Sequence, residues 1–190
     1  MTGVTVKIDQ QMLQDVQQKL GNLSKKAPNV VANSLNRALS NVATNMSKEV
    51  RKEYTIKAAD IKETLNKSRA SKSNLRAVVE SKGELIPLDK FKVSPRTVQP
   101  LRKSPIKVGV KKGGVKPILH AFVADVNGIK VFERKGEARF PIRKLFGPSV
   151  PQMLANEQVR EQINHEGNET FLRRLDHEIN RILEKGSASS

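Results

Sequence analysis

The feature of the sequence that most restricts the fold is a long amphipathic segment between Pro28 and Tyr54. Apolar residues recur in it every three or four positions, at Val31, Leu35, Ala38, Leu39, Val42, Met46 and Val50. This spacing places their side chains along one face of an α-helix, with asparagines and lysines on the opposite face. Pro28 suits the first turn, where its missing N–H is not needed. The segment therefore predicts a long helix that packs its apolar face on a sheet or on another helix.

Three other segments carry helical patterns. Asp9 is placed to cap a short helix from Gln10 to Leu20, which Gly21 would end. A second short helix is predicted over residues 58–67. Near the C-terminus an apolar stripe with helical spacing predicts a C-terminal helix, and it comprises Leu172, Leu175, Ile179 and Ile182. Val159 and Ile163 belong to the same apolar stripe, and this stripe, though not the helix, is interrupted around residues 165–168.

Strand patterns fill much of the remaining chain. Apolar residues alternate with polar ones over residues 4–8, 75–86 and, most clearly, 106–132. Gly113-Gly114 and Asn127-Gly128 are typical of tight turns with positive φ, so residues 106–132 predict a three-stranded antiparallel meander with His120 half-buried in a strand. The proline-containing stretch 90–105 predicts a long loop or an extended lobe. Together the patterns predict an α+β fold, with the long helix and the C-terminal helix packed on an antiparallel sheet of about four strands.

The chain length of 190 residues suits one domain. We expect an N-terminal arm and short helix over residues 1–27, a core domain over 28–155, a C-terminal helix over 156–185 and a disordered tail over 186–190. No apolar run approaches the roughly 20 residues of a membrane span. The first 18 residues lack the apolar centre of a secretory signal.

The charge of the chain is unevenly distributed. The net charge is +16, but residues 25–147 carry +18 while residues 148–190 carry −2. A basic middle favours a polyanionic partner or an acidic protein surface. The alternative is a solvated face that only keeps the chain soluble, and composition does not decide between the two.

Sites for chemistry are not evident in the sequence. Cysteine is absent, which excludes disulfides and thiolate chemistry, and His120, His165 and His177 lack metal-ligand spacing. The pair Asp125 and Glu133 is more simply explained as charges that flank the turn at residues 127–128. Aromatic residues make up only 4%, so any contact with nucleic acid should involve phosphates and be nonspecific. We predict no enzyme activity and no cofactor.

Several stretches resemble the prophage minor tail protein Z family of long-tailed bacteriophages. The most specific is Gly147-Pro148-Ser149-Val150-Pro151, within a likeness that runs from residue 128 to residue 154. Residues 32–38, 54–61 and 86–91 resemble other parts of the family, and the likeness covers roughly residues 28–155. The resemblance implies a structural role in tail completion near the head-proximal end, with other tail or neck proteins as partners and a homo-oligomer, such as a ring, as the assembly.

The basic residues and the proline-rich apolar segment beside them are the predicted interaction surface. Its residues are Lys107, Lys111, Lys112, Lys116, Arg134, Lys135, Arg139, Phe140, Arg143, Lys144, Phe146, Pro148, Val150 and Pro151. Phe140, Leu145 and Phe146 either cover the core of their own domain or contact a neighbouring subunit, since both bury apolar side chains. The expected location is the virion tail, after synthesis in the host cytoplasm. The alternative function is a nonspecific nucleic-acid-binding protein that uses the basic central region.

Overall fold

A computed structural model describes residues 2–187, which form five α-helices and eleven short strands. The helices are α1 (Gln10–Leu20), α2 (Ala27–Glu53), α3 (Ala58–Lys62), α4 (Val150–Leu154) and α5 (Glu157–Ser187). Short 3-10 turns cover Gly21–Lys26 and Leu88–Lys90. The long N-terminal helix, the C-terminal helix and the antiparallel strands confirm the predicted α+β class.

The ends of the first two helices follow the local sequence. The Asp9 side chain accepts a hydrogen bond of 2.8 Å from the Met12 N–H, which caps α1, and Gly21 ends the helix with a φ of 51°. Proline occupies the first turn of α2, and the helix ends one residue before the predicted boundary. These boundaries depend on contacts within one turn, so the sequence predicts them well.

Helices α2 and α5 form the centre of the molecule and run antiparallel. Asn41 lies 3.4 Å from the Thr170 hydroxyl, and the Ser34 hydroxyl donates to the Arg174 carbonyl at 3.4 Å. The apolar stripe of α5 is interrupted around residues 165–168 as predicted, and the helix itself is continuous there. Gly167 fills the interruption: a Cβ at this position would lie 2.9 Å from Val42, so the glycine lets the two helices approach closely.

The apolar stripe of α5 differs from the prediction at one position. Leu175 and Ile179 are buried as predicted, but Leu172 is 49% exposed and Phe171 occupies the buried face instead. The reason is that α5 follows α2 over its whole length, so its buried face shifts gradually around the helix. Ile182 is partly buried against the same core.

The strands pair antiparallel in four small sheets. They are β1 (Thr2–Lys7), β2 (Leu65–Ser68), β3 (Arg76–Ser81), β4 (Ile86–Pro87), β5 (Lys92–Ser94), β6 (Ile106–Gly109), β7 (Lys116–Ile118), β8 (Ala121–Asp125), β9 (Ile129–Arg134), β10 (Ile142–Lys144) and β11 (Phe146–Gly147). The sheets have the orders β1-β3-β2, β5-β6-β7, β10-β9-β8 and β11-β4. The first packs against α2 through Val4, Val6, Ala77 and Val79, which are buried.

The predicted continuous meander over residues 106–132 is wrong, because the chain changes sheets in its middle. His120 is not a half-buried strand residue: it is exposed and has a φ of 60°. This left-handed turn ends the β5-β6-β7 sheet and starts the neighbouring sheet at β8. Pro117 lies on the edge strand β7, where its missing N–H breaks no ladder.

Two other predicted elements require correction. The helix expected over residues 58–67 ends at Lys62, and the chain then forms β2 on the free edge of β3. The stretch 90–105 contains β5, whose Val93 is buried, and only its remainder is loop. Gly113 has the predicted positive φ of 76°, but Gly114 does not, so the prediction for Gly114 is wrong. For β2 and β5 a partner strand distant in the chain decides the conformation.

One continuous core of buried apolar residues joins the helices to all the larger sheets. The proposed division into an arm, a core domain and a C-terminal helix remains a prediction. Residues 188–190 of the predicted tail lie outside the described residues, and Gly186 and Ser187 extend α5. Within residues 2–187, no helix is long and apolar enough to cross a membrane.

Candidate interaction surfaces

Residues 85–147, here called the β lobe, carry strands β4 to β11 and lie at the C-terminal end of α2. Backbone hydrogen bonds fix the lobe to this end of the helix. The Thr55 N–H donates to the Val110 carbonyl at 2.9 Å, and the Lys112 N–H donates to the Glu53 carbonyl at 2.8 Å. These bonds attach the hairpin that carries the first group of predicted lysines to the end of the helix.

The second attachment of the lobe is the stretch Gly147-Pro148-Ser149-Val150-Pro151. Gly147 pairs with Ile86, and a Cβ on it would lie only 2.7 Å from the buried ring of Phe91. Ser149 then starts α4 with a capping box: its hydroxyl accepts from the Gln152 N–H, and the Gln152 side chain accepts from the Ser149 N–H at 2.8 Å. The stretch thus joins the lobe to the helical core.

The first basic group lies on the β6–β7 hairpin. Lys107, Lys111, Lys112 and Lys116 are all exposed. The Lys111 ammonium lies 5.9 Å from the centre of the Tyr54 ring, a cation–π distance. No carboxylate lies within ion-pair distance of these four lysines among the described residues. Their charges are therefore available to a partner.

The second basic group surrounds the β9–β10 hairpin and is partly occupied by its own neighbours. Arg134 stacks on Phe122 at 5.1 Å and donates to the Arg139 carbonyl at 3.0 Å, while Arg143 forms an ion pair with Glu133. Lys135 is exposed at the same hairpin. The structure places the two basic groups on two adjacent sheets, which touch through β6 and β8.

The aromatic residues of this region are exposed beneath cations. Phe140 is 65% exposed with the Arg139 guanidinium 5.8 Å from its ring, and Phe146 is 48% exposed with the Lys144 ammonium 5.2 Å away. Leu145 packs against the core, and Pro148 is half-buried. Val150 and Pro151 are buried, so they belong to the core and not to the surface for which they were predicted.

Exposed apolar residues concentrate on the β lobe. Among the described residues, nine of the ten large apolar side chains that are exposed belong to it, and the tenth is Leu172 of α5. The two most exposed, Leu101 at 94% and Leu119 at 67%, are not among the predicted surface residues. Their positions in turns carried no periodic signal. The lobe also has 15 Lys and Arg against 4 Asp and Glu, so apolar and basic groups share one surface.

A cavity of about 250 Å³, which no sequence pattern predicts, lies where the β lobe meets the segment after α2. Its apolar wall consists of Val93, Val123, Ile129 and Val131. Basic side chains from two separate parts of the chain line it as well: Lys57 from the segment after α2, and Lys90 and Arg96 from the β lobe. Only tertiary structure brings these residues together, because they are up to 74 positions apart.

Two of the charged residues that line this cavity, Asp89 and Lys90, form ion pairs. The Lys90 ammonium lies 2.8 Å from the Asp60 carboxylate, whose hydrogen bond raises the pKa of Lys90 above its usual value. Lys130 lies 3.5 Å from Asp89, the one acidic residue of the lining. Lys57 and Arg96 have no carboxylate within ion-pair distance in the described part of the chain. The cavity therefore has an excess of positive charge.

The geometry of the described residues offers contacts and no evident reaction centre. No group of three or more His, Cys, Asp or Glu within residues 2–187 could hold a metal ion. Asp125, half of the predicted carboxylate pair, accepts from the Gly128 N–H at 3.1 Å and so stabilises the turn, while Glu133 pairs with Arg143. Both carboxylates have structural partners.

Comparison with known proteins agrees with this description. A family model described as prophage minor tail protein Z (GPZ) matches residues 12–185. No curated protein and no solved structure matches the chain significantly.

Proposed function

Because the chain belongs to the prophage minor tail protein Z family, we propose that it completes the phage tail near the end that joins the head. It does so through protein–protein contacts and performs no catalysis. The observation that carries the proposal is the β lobe, which combines exposed apolar side chains with a large excess of positive charge. Exposed apolar surface of this kind is typical of sites that bind other proteins.

The two kinds of side chain contribute differently to such a contact. Apolar residues such as Phe140 and Leu101 would lose their contact with water on binding, which supplies most of the free energy. The lysines of the β6–β7 hairpin would attract an acidic surface and orient it. A tail or neck protein with an acidic face is therefore the expected partner.

The experiment tests particles that carry Lys111→Glu, Lys112→Glu and Lys116→Glu together. We expect a marked loss of infectious, DNA-retaining particles, because three charges of one surface are reversed. A control with Lys25→Glu, Lys26→Glu and Lys72→Glu changes the net charge equally at exposed positions outside the lobe. Normal particle yields from the first variant would contradict the role of the hairpin.

Nonspecific binding of nucleic acid is the second candidate, and the charge of +18 over residues 25–147 favours it. Lysines on the hairpin would contact phosphates, and aromatic stacking would contribute little. Affinity for duplex DNA should then fall steeply with salt, with a logarithmic slope of roughly 0.9 per phosphate contacted. Weak DNA binding by the purified chain, together with defined protein complexes, would favour the tail-assembly role.

A further inference from the structure

The outer face of α5 carries an acidic stripe with one apolar residue in it. Glu161, His165, Glu169, Leu172 and Asp176 follow one another at intervals of three or four residues, and all are exposed. Helical geometry therefore places them on one side of the helix. Leu172 is the only large apolar side chain that is exposed on the described helices. Phe171 and Leu175, its neighbours on the other side, are buried in the core.

The stripe is acidic with one exposed apolar side chain, whereas the cavity of the β lobe has an apolar wall with basic side chains, so the two surfaces are complementary. We infer that the acidic stripe of α5 on one copy docks at the cavity of a second copy, with Leu172 entering between Val93, Val123 and Ile129. The inference deepens the proposed assembly function and rests on it. The two surfaces are different parts of the same chain, so the contact is head-to-tail.

The size and the chemistry of the cavity favour an apolar side chain as occupant. Its volume of about 250 Å³ is below the roughly 300–1,000 Å³ of typical small-molecule pockets. Its wall is mainly branched aliphatic, and Ile129 stays 46% exposed at it. A leucine that enters the cavity would remove both its own side chain and that of Ile129 from water, which stabilises the contact through the hydrophobic effect.

Charge supports the same orientation. Along the helix axis, Glu169 and Asp176 stand about 4.5 Å and 6 Å on either side of Leu172, at 1.5 Å per residue. They would therefore flank the cavity, where Lys57 and Arg96 are the cationic side chains without an ion-pair partner in the described chain. Within their own chain Asp176 lies 3.9 Å from Lys19 and Glu169 lies 3.8 Å from His165, and both pairs are exposed, so docking would exchange these partners for Lys57 and Arg96. Exposed ion pairs contribute little free energy singly, so their main effect is to select the partner surface.

A head-to-tail contact leaves one free cavity and one free stripe after each addition. Such contacts form a ring when the rotation between copies closes and a chain of copies when it does not. This property links the inference to a tail, because a ring can stack on a tube of subunits. It also allows a mixing test. Two variants, each with a different one of the two surfaces damaged, can still pair with each other in a head-to-tail contact, but could not do so if two identical surfaces paired symmetrically.

The experiment uses the purified full-length chain and two matched variants. Leu172→Asp and Ile129→Asp each place a carboxylate on a residue that is about half exposed, so both should fold normally, as thermal unfolding can verify. Val126→Asp is the control, since Val126 is 49% exposed in the adjacent turn and does not line the cavity. Sedimentation velocity measures the mass of each species.

We expect the wild type and the Val126→Asp variant to self-associate, with the dissociation constant increasing as salt rises. Each of the other two variants should weaken association at least about tenfold, as removal of an interface anchor does. Mixed together, these two variants should form a one-to-one complex, because one keeps an intact cavity and the other an intact stripe. This complex cannot grow further, because the one stripe and the one cavity that remain free in it are the two damaged surfaces.

Three results would overturn the inference: a wild type that stays monomeric, variants that associate as the wild type does, or a mixture that forms no one-to-one complex. None of these results would affect the proposed tail function, which the particle assay with the lysine variants tests independently. The reverse outcome is also informative. If the wild-type chain self-associated as expected but the lysine variants gave normal particles, the inference would stand and the role of the β6–β7 hairpin would be contradicted.

Discussion

Replacement of Gly147 by alanine tests how the β lobe is attached to the helical core. Gly147 lies in β11, and an added Cβ would be 2.7 Å from one carbon of the Phe91 ring and 3.2 Å from another. Phe91 is 1% exposed, so its ring has little room to move. The methyl group must therefore displace a packed aromatic ring or the strand itself.

The magnitude follows from two opposing effects. Overpacking of a buried site by a methyl group costs about 1–3 kcal/mol. Alanine also restricts the unfolded chain more than glycine does, which stabilises the folded state by about 0.4–1 kcal/mol. The clash is the larger effect here, so we expect a net loss of about 1–2 kcal/mol of unfolding free energy. For a domain of this size the loss corresponds to a decrease of roughly 2–8 °C in Tm.

Denaturant unfolding of the purified chain measures the effect, with Gly136→Ala as the matched control. A Cβ at Gly136 would meet nothing within 4 Å, and its φ is not positive. The control should therefore unfold at the wild-type denaturant concentration or slightly above it. If Gly147→Ala were as stable as Gly136→Ala, the close approach to Phe91 would not constrain the attachment.

A second substitution checks the cause of the loss. Phe91→Leu removes ring atoms near Gly147 and by itself destabilises the core. In the Gly147→Ala background its cost should be smaller, since it also removes the clash, and contacting pairs couple by about 0.5–3 kcal/mol. Additive losses in the double variant would show that the two residues do not interact.

Three further predictions concern stability. Gly113→Val should cost about 1–3 kcal/mol, because its φ of 76° strains a branched residue, whereas Gly114→Val should cost clearly less; equal melting temperatures would contradict this. Leu175→Ala should cost about 2–5 kcal/mol and Leu172→Ala under about 0.5 kcal/mol in the monomer, measured by denaturant unfolding. Ser149→Ala should cost about 1 kcal/mol through loss of the cap of α4, and unchanged stability would show that the cap contributes nothing.

Local physics made a large part of the fold predictable. The cap at Asp9, the stop at Gly21 and the apolar stripe of α2 depend on residues within a few turns of one another, so the sequence predicts them almost to the residue. The concentration of positive charge before residue 148 is a property of the sequence alone. The α+β class follows from these patterns, and so does the expectation of a contact surface without catalytic residues.

Long-range contacts decided the rest. Residues 65–68 form a strand because the edge of β3 is free to pair with them, and Gly167 lets α5 approach α2 closely because Val42 lies against it. The left-handed turn at His120 divides the predicted meander between two sheets. No local pattern encodes these choices, since each depends on a partner distant in the chain.

The candidate site shows the same division. Sequence identifies which residues are basic or apolar, but only the folded chain exposes Phe140, buries Val150 and leaves Leu172 outside the core. The cavity brings together residues from position 57 to position 131, which no spacing rule connects. Charge and periodicity are thus written in the sequence, whereas exposure and the meeting of distant side chains exist only once the tertiary structure has formed.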